Sequence, residues 1–301
     1  MWKESSALLL LWSGLAFSAE PRKFEAVEPH MGTLFRITVY VPDSGVARAA
    51  TNAAFTRVKQ LDEALSDYNP DSELMRLTRH PAMGWTPVST DLFHILEVSQ
   101  RLARDSGGAF DVTCGPIVKL WREARKTRRL PSHEAIAEAL SRSGYKHLFL
   151  DNRRRAVRLD IAGMQLDLGA IAKGYAADEA LEVLHRRGLK RAMVAASGDI
   201  AMGEAPPGTK GWRILIEPSE NTERVLLLSN SAVSTSGDRN QFVEIAGRRY
   251  SHIVDARTGM ALTESKGVTV VARRGIDADS LATAACILGR HVRGHRARYF
   301  N

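Results

Sequence analysis

The chain has 301 residues, 44% of them hydrophobic and 25% charged, an ordinary globular composition that excludes disordered and collagen-like chains and leaves room for a substantial core. The net charge of +8 is uneven: Arg290, Arg293, Arg296 and Arg298 supply four of those charges in a last segment without an acid, so residues 1–289 carry only +4. The other basic clusters, at 122–129, 153–155 and 185–191, read as solvated helix faces; no nucleic-acid module accompanies them, and nucleic acid is not expected as a partner.

Residues 1–19 open with Lys3, run apolar over 7–17 and end in Ala16-Phe17-Ser18-Ala19, the layout of a secretory signal. The run is shorter than the roughly 20 apolar residues that span a bilayer. Export is therefore expected, and no Cys follows the run to carry a bacterial lipid anchor; the alternative is an apolar N-terminal helix of the mature protein. Cys114 and Cys286 each stand among small apolar residues and are expected to be free, buried thiols.

Residues 35–41 (FRITVYV) alternate and are β-branched, predicting a strand. A turn at Pro42-Asp43-Ser44-Gly45 leads into a helix over 47–66 with Ala54, Val58, Leu61 and Leu65 on one stripe. After a loop at 68–72 come a short helix at 73–77 and a long one at 90–106, stopped by Gly107-Gly108. Residues 109–116 (AFDVTCGP) read as irregular, and Pro131-Ser132 start a helix over 133–143. The texture then changes to short strands at 147–150, 156–159 and 165–168. A strand-to-helix junction spans 167–178, and its helix runs to Arg187, where Gly188 ends it. Further strands are predicted at 191–196, 212–217, 224–229, 232–236, 241–245, 250–254 and 268–272, and a last helix at 277–288 with Asp277 as its N-cap. Long helices first and antiparallel-looking strands later argue for an α+β fold in one compact unit over 20–289, with a basic tail at 290–301, rather than a doubly wound sheet.

Four places can carry chemistry. Asp279 and Thr283 are four apart, so they share a helix face near its start and offer hard oxygen ligands of the kind Mg²⁺ takes; the alternative is a capped helix whose Thr bonds its own backbone. In 166–178 (LDLGAIAKGYAAD), loose glycines and Lys173 at a helix opening suit a phosphate, although the spacing is not that of a P-loop, and an ordinary turn with a surface lysine fits as well. His252 shares a strand face with Tyr250 and Val254, where it can shuttle a proton or hold a backbone carbonyl. Ser234-Thr235-Ser236-Gly237-Asp238 and Ala196-Ser197-Gly198-Asp199 are small-residue turns that line a pocket or close hairpins.

Taken in order, Met31-Gly32-Thr33, 67–74 (DYNPDSEL), 108–113 (GAFDVT), 166–178, 234–238, 252–259 and 279–284 resemble the ApbE family of FAD:protein FMN transferases, over about residues 26–289. The resemblance implies a Mg²⁺ held by Asp279, Thr283 and the Ala170 carbonyl. It implies FAD contacts at Met31, Tyr68, Ala109, Phe110, Asp111, Asp167, Lys173 and Ile253, with FAD as substrate, and His252 is the candidate catalytic base. The family moves FMN onto a Thr or Ser of an acceptor protein, often a subunit of a membrane electron-transport complex, so a periplasmic site near the inner-membrane surface is expected. The same motifs serve a hydrolase that releases FMN and AMP, or an exported flavin binder without turnover. Two departures stand out: Asp67 replaces the Thr or small residue usual in the family, and 291–301 is basic and aperiodic where the family continues with helix and strand. That ending reads as a truncation or shifted frame that leaves a sheet edge unpaired.

Overall fold

Alternation builds the first hairpin. β1 (Arg22–His30) and β2 (Thr33–Val41) pair antiparallel, Arg22 opposite Val41 and His30 opposite Thr33, and β2 turns Phe35, Ile37 and Val39 into the core. Met31 and Gly32 close it with φ of 49° and 71°, the left-handed pair that matches hairpin twist. β1 was not among the predicted strands, because it is a charged edge strand with only Phe24 and Ala26 packing inward. The computed structural model describes residues 20–79, 83–216, 224–237, 241–264 and 267–300; the expected signal at 1–19 lies outside these, as do Glu217 and Asp238.

Asp43 caps α1 (Ser44–Leu65) by accepting the Val46 N–H, and the predicted stripe of Ala54, Val58, Leu61 and Leu65 is buried. Next come α2 (Glu73–Arg79), β3 (Thr86–Pro87) and α3 (Thr90–Asp105), the last capped by Ser89. α4 (Gly115–Thr127) was not predicted beyond the irregular 109–116, yet Ile117, Trp121 and Ala124 bury one helical face and Pro116 stands in its first turn. α5 (His133–Ser141) follows, then β4 (Leu148–Asp151) and β5 (Ala156–Leu159), which form a small sheet with β3. The strand expected at 165–168 does not form. Gln165 makes one parallel bridge to Cys114, and Asp167 donates its N–H to the Val112 carbonyl, so the segment is held by a loop and the head of α4.

The remaining elements are α6 (Ala172–Arg186), β6 (Ala192–Ala196), β7 (Asp199–Met202), β8 (Trp212–Ile216), β9 (Arg224–Leu228), β10 (Ser231–Ser236), β11 (Phe242–Ile245), β12 (Arg248–Ser251), β13 (Val254–Asp255), β14 (Met260–Ala261), β15 (Val268–Ala272), α7 (Gly275–Leu288) and β16 (Arg298–Phe300). The main sheet runs β1-β2-β6-β7-β10-β15-β16, with every neighbour antiparallel, so the α+β expectation holds. α6 and α7 cover one face, where Ala201, Ala232 and Val270 pack, and α1 lies against α6. The hairpin β8–β9 covers the other face, seating Trp212, Ile214 and Ile216 on Met202, Val233 and Val271. Among the described residues no helix is long and apolar enough to cross a membrane.

Three further sequence expectations are corrected. The single strand at 250–254 splits, because β12 pairs with β11 and β13 with β14; between them the His252 N–H goes to the Gln241 carbonyl and the Ile253 carbonyl accepts from Leu262. Asp277 is not the N-cap of α7. That position is Arg274, without a side-chain cap, and the first N–H groups of the helix are taken by Asp178 of α6, whose carboxylate accepts from Gly275 at 2.6 Å and Ile276 at 3.0 Å. The basic ending is not aperiodic throughout, since residues 298–300 pair with β15, Phe300 opposite Thr269, and Val292 is buried.

Candidate active site

One cavity of about 1360 Å³ opens where the head of α7, the 167–172 junction, the β1–β2 turn and the loop after α3 converge. It exceeds the ~300–1,000 Å³ of common small-molecule pockets, leaving room for a ligand of dinucleotide size. Its lining contains Met31, Tyr68, Ala109, Phe110, Asp111, Asp167, Ala170, Lys173, His252, Ile253, Asp279 and Thr283, so segments as distant as 31 and 283 meet in one site.

The oxygen donors lie on α7 and the junction. Asp279 is 3% exposed; its Oδ2 accepts the Gly174 N–H at 3.0 Å and stands 3.7 Å from the Lys173 ammonium. Burial, then the nearby Asp199 carboxylate, push Asp279 up to about 7, while Lys173 works in the opposite direction. One turn along, the Thr283 hydroxyl meets the Ser236 hydroxyl at 3.0 Å across to β10, rather than its own helix backbone. Ala170 lines the same cavity, so the residues the resemblance implies as ligands supply one carboxylate, one hydroxyl and one backbone carbonyl to its wall. Such a set fits Mg²⁺, which takes few protein ligands and keeps waters and phosphates for the rest. Among the described residues no three His, Cys, Asp or Glu side chains cluster, so a thiolate or multi-carboxylate metal site is not present there.

Lys173 donates to Asp199 Oδ2 at 2.6 Å, and Asp199 Oδ1 accepts the Ser234 hydroxyl at 2.5 Å. Burial opposes the Lys173 charge, but the Asp279 and Asp199 carboxylates outweigh it and hold its pKa above the usual lysine range. Lys173 is thus a half-buried cation held between two carboxylates, not the surface lysine of the alternative reading. The 196–199 and 234–236 segments prove to be both hairpin or strand ends and cavity wall.

His252 sits where the chain changes strand partners. Its Nδ1 is 3.1 Å from the Gln241 carbonyl oxygen, which only accepts, so Nδ1 carries the proton in that contact. The backbone-carbonyl contact expected of this histidine is present, and the side chain also lines the cavity. Asp111 lines the cavity, but its carboxylate is occupied: Oδ1 accepts from the Thr113 N–H and hydroxyl at 2.8 and 2.7 Å, and Oδ2 from Tyr145 N–H at 2.7 Å. Ala109 and Phe110 are held beside it by the left-handed Gly107-Gly108 turn. Met31 donates its N–H to Asp62 at 2.8 Å, which fixes the hairpin turn at the cavity rim.

At the far wall Arg122 of α4 bridges two carboxylates, Asp67 and Asp167, the latter at 2.8 Å, and its guanidinium lies 4.5 Å from the centre of the Tyr68 ring. Burial raises the Asp167 pKa first, Asp67 adds to the rise, and Arg122 counters both. Arg125, one turn on, also lines the cavity; burial and then Arg122 lower its pKa, with Tyr68 and Asp167 acting the other way. The sequence reading of 122–129 as a solvated helix face is corrected at these two positions, which face the cavity wall instead. The buried spacing Ile117, Trp121, Ala124 was the available signal for α4 and hence for them. Asp199 was missed because nothing in the sequence distinguishes a turn aspartate from a buried counter-ion. Neither cysteine forms a disulfide, and both line the cavity; Cys286 is buried as expected, whereas Cys114 is only partly so, its thiol pKa raised by burial.

A seven-stranded antiparallel sheet backed by two helices, with Asp279, Thr283, Lys173 and His252 in one cleft large enough for a dinucleotide, defines an α+β protein with a large ligand-sized cavity among its described residues. Residues 31–297 match the model of the ApbE family, and the chain belongs to that family. It is 34% identical over 290 residues to an FAD:protein FMN transferase of Treponema pallidum, covering 90% of this chain and 80% of that one. It is 31% identical over 297 residues to the enzyme of that name from Vibrio cholerae, covering 96% and 87%. Among solved structures, the apo form of Pseudomonas stutzeri flavinyl transferase ApbE superposes with a TM-score of 0.80 at 30% identity, over 89% of this chain and 85% of that one.

Proposed function

We propose that the protein is a Mg²⁺-dependent FAD:protein FMN transferase, and the observation that carries this is the convergence of Asp279, Thr283, Ala170, Lys173 and His252 on one cavity. FAD occupies the cleft with its pyrophosphate at the oxygen cluster and Lys173. A divalent cation bound by Asp279, Thr283 and the Ala170 carbonyl would neutralise phosphate charge and stabilise the AMP leaving group. Lys173, pinned by Asp199, supplies a second positive charge that needs no reorganisation during the reaction. His252 takes the proton of an acceptor Thr or Ser hydroxyl at Nε2. The hydroxyl oxygen bonds to the phosphorus of the FMN half as the bond from that phosphorus to the AMP oxygen breaks, and FMN is left esterified to the acceptor. Met31, Tyr68, Ala109, Phe110, Asp111, Asp167 and Ile253 form the walls that hold the nucleotide.

The apolar run at 7–17 and its small-residue exit support export, so we place the acceptor outside the cytoplasm, on a membrane electron-transport subunit. The test is chromatography of FAD incubated with protein and Mg²⁺, with and without an acceptor peptide containing Thr or Ser. Fluorescent flavinylated peptide with stoichiometric AMP is expected. FMN and AMP formed equally without peptide would make it a hydrolase, and intact FAD in both arms would leave it a binder.

A further inference from the structure

Resting on that reading, we propose that Arg122 is a positioning residue: clamped by Asp67 and Asp167, it backs the Tyr68 ring so that Tyr68 presents its open face to a planar ring of the flavin nucleotide. Tyr68 is 75% exposed, an unusual state for a tyrosine on a cavity wall, and one of its faces is covered by the guanidinium at 4.5 Å. A guanidinium is planar, stacks on aromatic faces and bridges two carboxylates with one fork, which an ammonium on a flexible stem does not reproduce. Asp67 and Asp167 hold the two ends of that fork, Asp67 next to Tyr68 in sequence and Asp167 three residues before Ala170. The clamp therefore ties the ring to the junction that carries an oxygen donor. It also accounts for Asp67, the position where this chain departs from the small residue usual in the family: its carboxylate is the counter-ion of Arg122. Without Arg122, Asp67 and Asp167 would face one another uncompensated in a partly buried wall.

The ring stacked on Tyr68 is either the isoalloxazine or the adenine of the same ligand, and separate titrations with FMN and ADP distinguish them. The test is a double-mutant cycle on FAD affinity with Tyr68→Ala and Arg122→Lys, each protein checked for thermal midpoint. Arg122→Lys keeps the counter-charge and the fold; Tyr68 is exposed, so its truncation leaves the core intact. Each single change is expected to weaken FAD by about tenfold, the scale of one lost stacking contact. The double variant is expected to be little worse than either alone. The loss should appear with only one of FMN and ADP, and the visible circular dichroism of bound flavin at saturation should change in Arg122→Lys if the isoalloxazine is the stacked ring. Additive losses, or equal losses for FMN and ADP with a lowered thermal midpoint, would overturn the inference and make Arg122 a fold residue. Failure of the wild-type protein to bind FAD at all would instead sink the transferase reading, and the inference with it.

Discussion

Asp279 keeps a carboxylate at the head of α7 in a place where water does not solvate it, so its affinity for a cation and its affinity for a proton compete. Lys173 and the Gly174 N–H offset part of that cost in the absence of a cation. His252 is the proposed base, and the contact that holds its ring is to the Gln241 carbonyl, a backbone group outside the proposed ligand set. His252→Ala is therefore expected to hold FAD with unchanged affinity and to lose transfer by roughly 10²–10⁴-fold, the contribution of a positioned general base. Rapid-quench measurement of AMP release against FAD titration separates the two, and full turnover in the variant would remove His252 from the mechanism.

The elements that place Asp279 are α6 and α7, and they meet backbone to backbone. A Cβ on Gly174 would lie 2.2 Å from the Gly275 carbonyl oxygen and 2.7 Å from the Asp279 Cβ. Gly174→Ala should push the helices apart, lower the unfolding free energy by about 2–3 kcal/mol and weaken metal binding, since the N–H that orients Asp279 moves with it. Denaturant midpoints with calorimetric metal titration check both, and a wild-type midpoint would contradict the close contact. The same pair of helices is joined by Asp178, which burial pushes up to about 6. Its folded pKa is raised, so the native state binds the proton more tightly, and the ionised form costs stability. That cost is absent well below the ordinary value of 3.8, sets in above it and grows to about 3 kcal/mol as pH rises past 6. Asp178→Asn cannot titrate, so the stability of wild type relative to the variant should fall between pH 4 and 7; parallel urea curves across that range would refute it. α1, α3, β5 and β15 were legible in the sequence because their signals are local: a stripe, a cap, alternation, a glycine stop. α4 carried a local signal, the Ile117, Trp121, Ala124 spacing, that went unread, whereas the break at His252 and the cap of α7 depend on partners outside their own segments: Gln241 for His252, Asp178 for Gly275. The site residues were legible as motifs, whereas their counter-ions, Asp199 and Arg122, were not.

At the scale of the molecule, the cavity is walled by the first hairpin turn, the loop after α3, α4, the junction and the last helix, so a ligand that fills it cross-links elements from both ends of the chain. Binding to the native state alone must then raise global stability by mass action, by about 2.7 kcal/mol at a free concentration 100 times Kd. For a chain of this size each kcal/mol moves the thermal midpoint by roughly 2–4 °C. FAD with Mg²⁺ should therefore raise the midpoint by several degrees. EDTA should remove the share of that rise which depends on the oxygen cluster. Asp279→Asn should show the EDTA-level shift whether or not Mg²⁺ is present, because its remaining rise comes from the nucleotide walls alone. A variant that still gained the full increment from Mg²⁺ would place the cation elsewhere in the cleft. One that lost all response to FAD would show instead that Asp279 holds the nucleotide walls together as well as the metal. Scanning calorimetry of the two proteins under the three conditions decides among these outcomes.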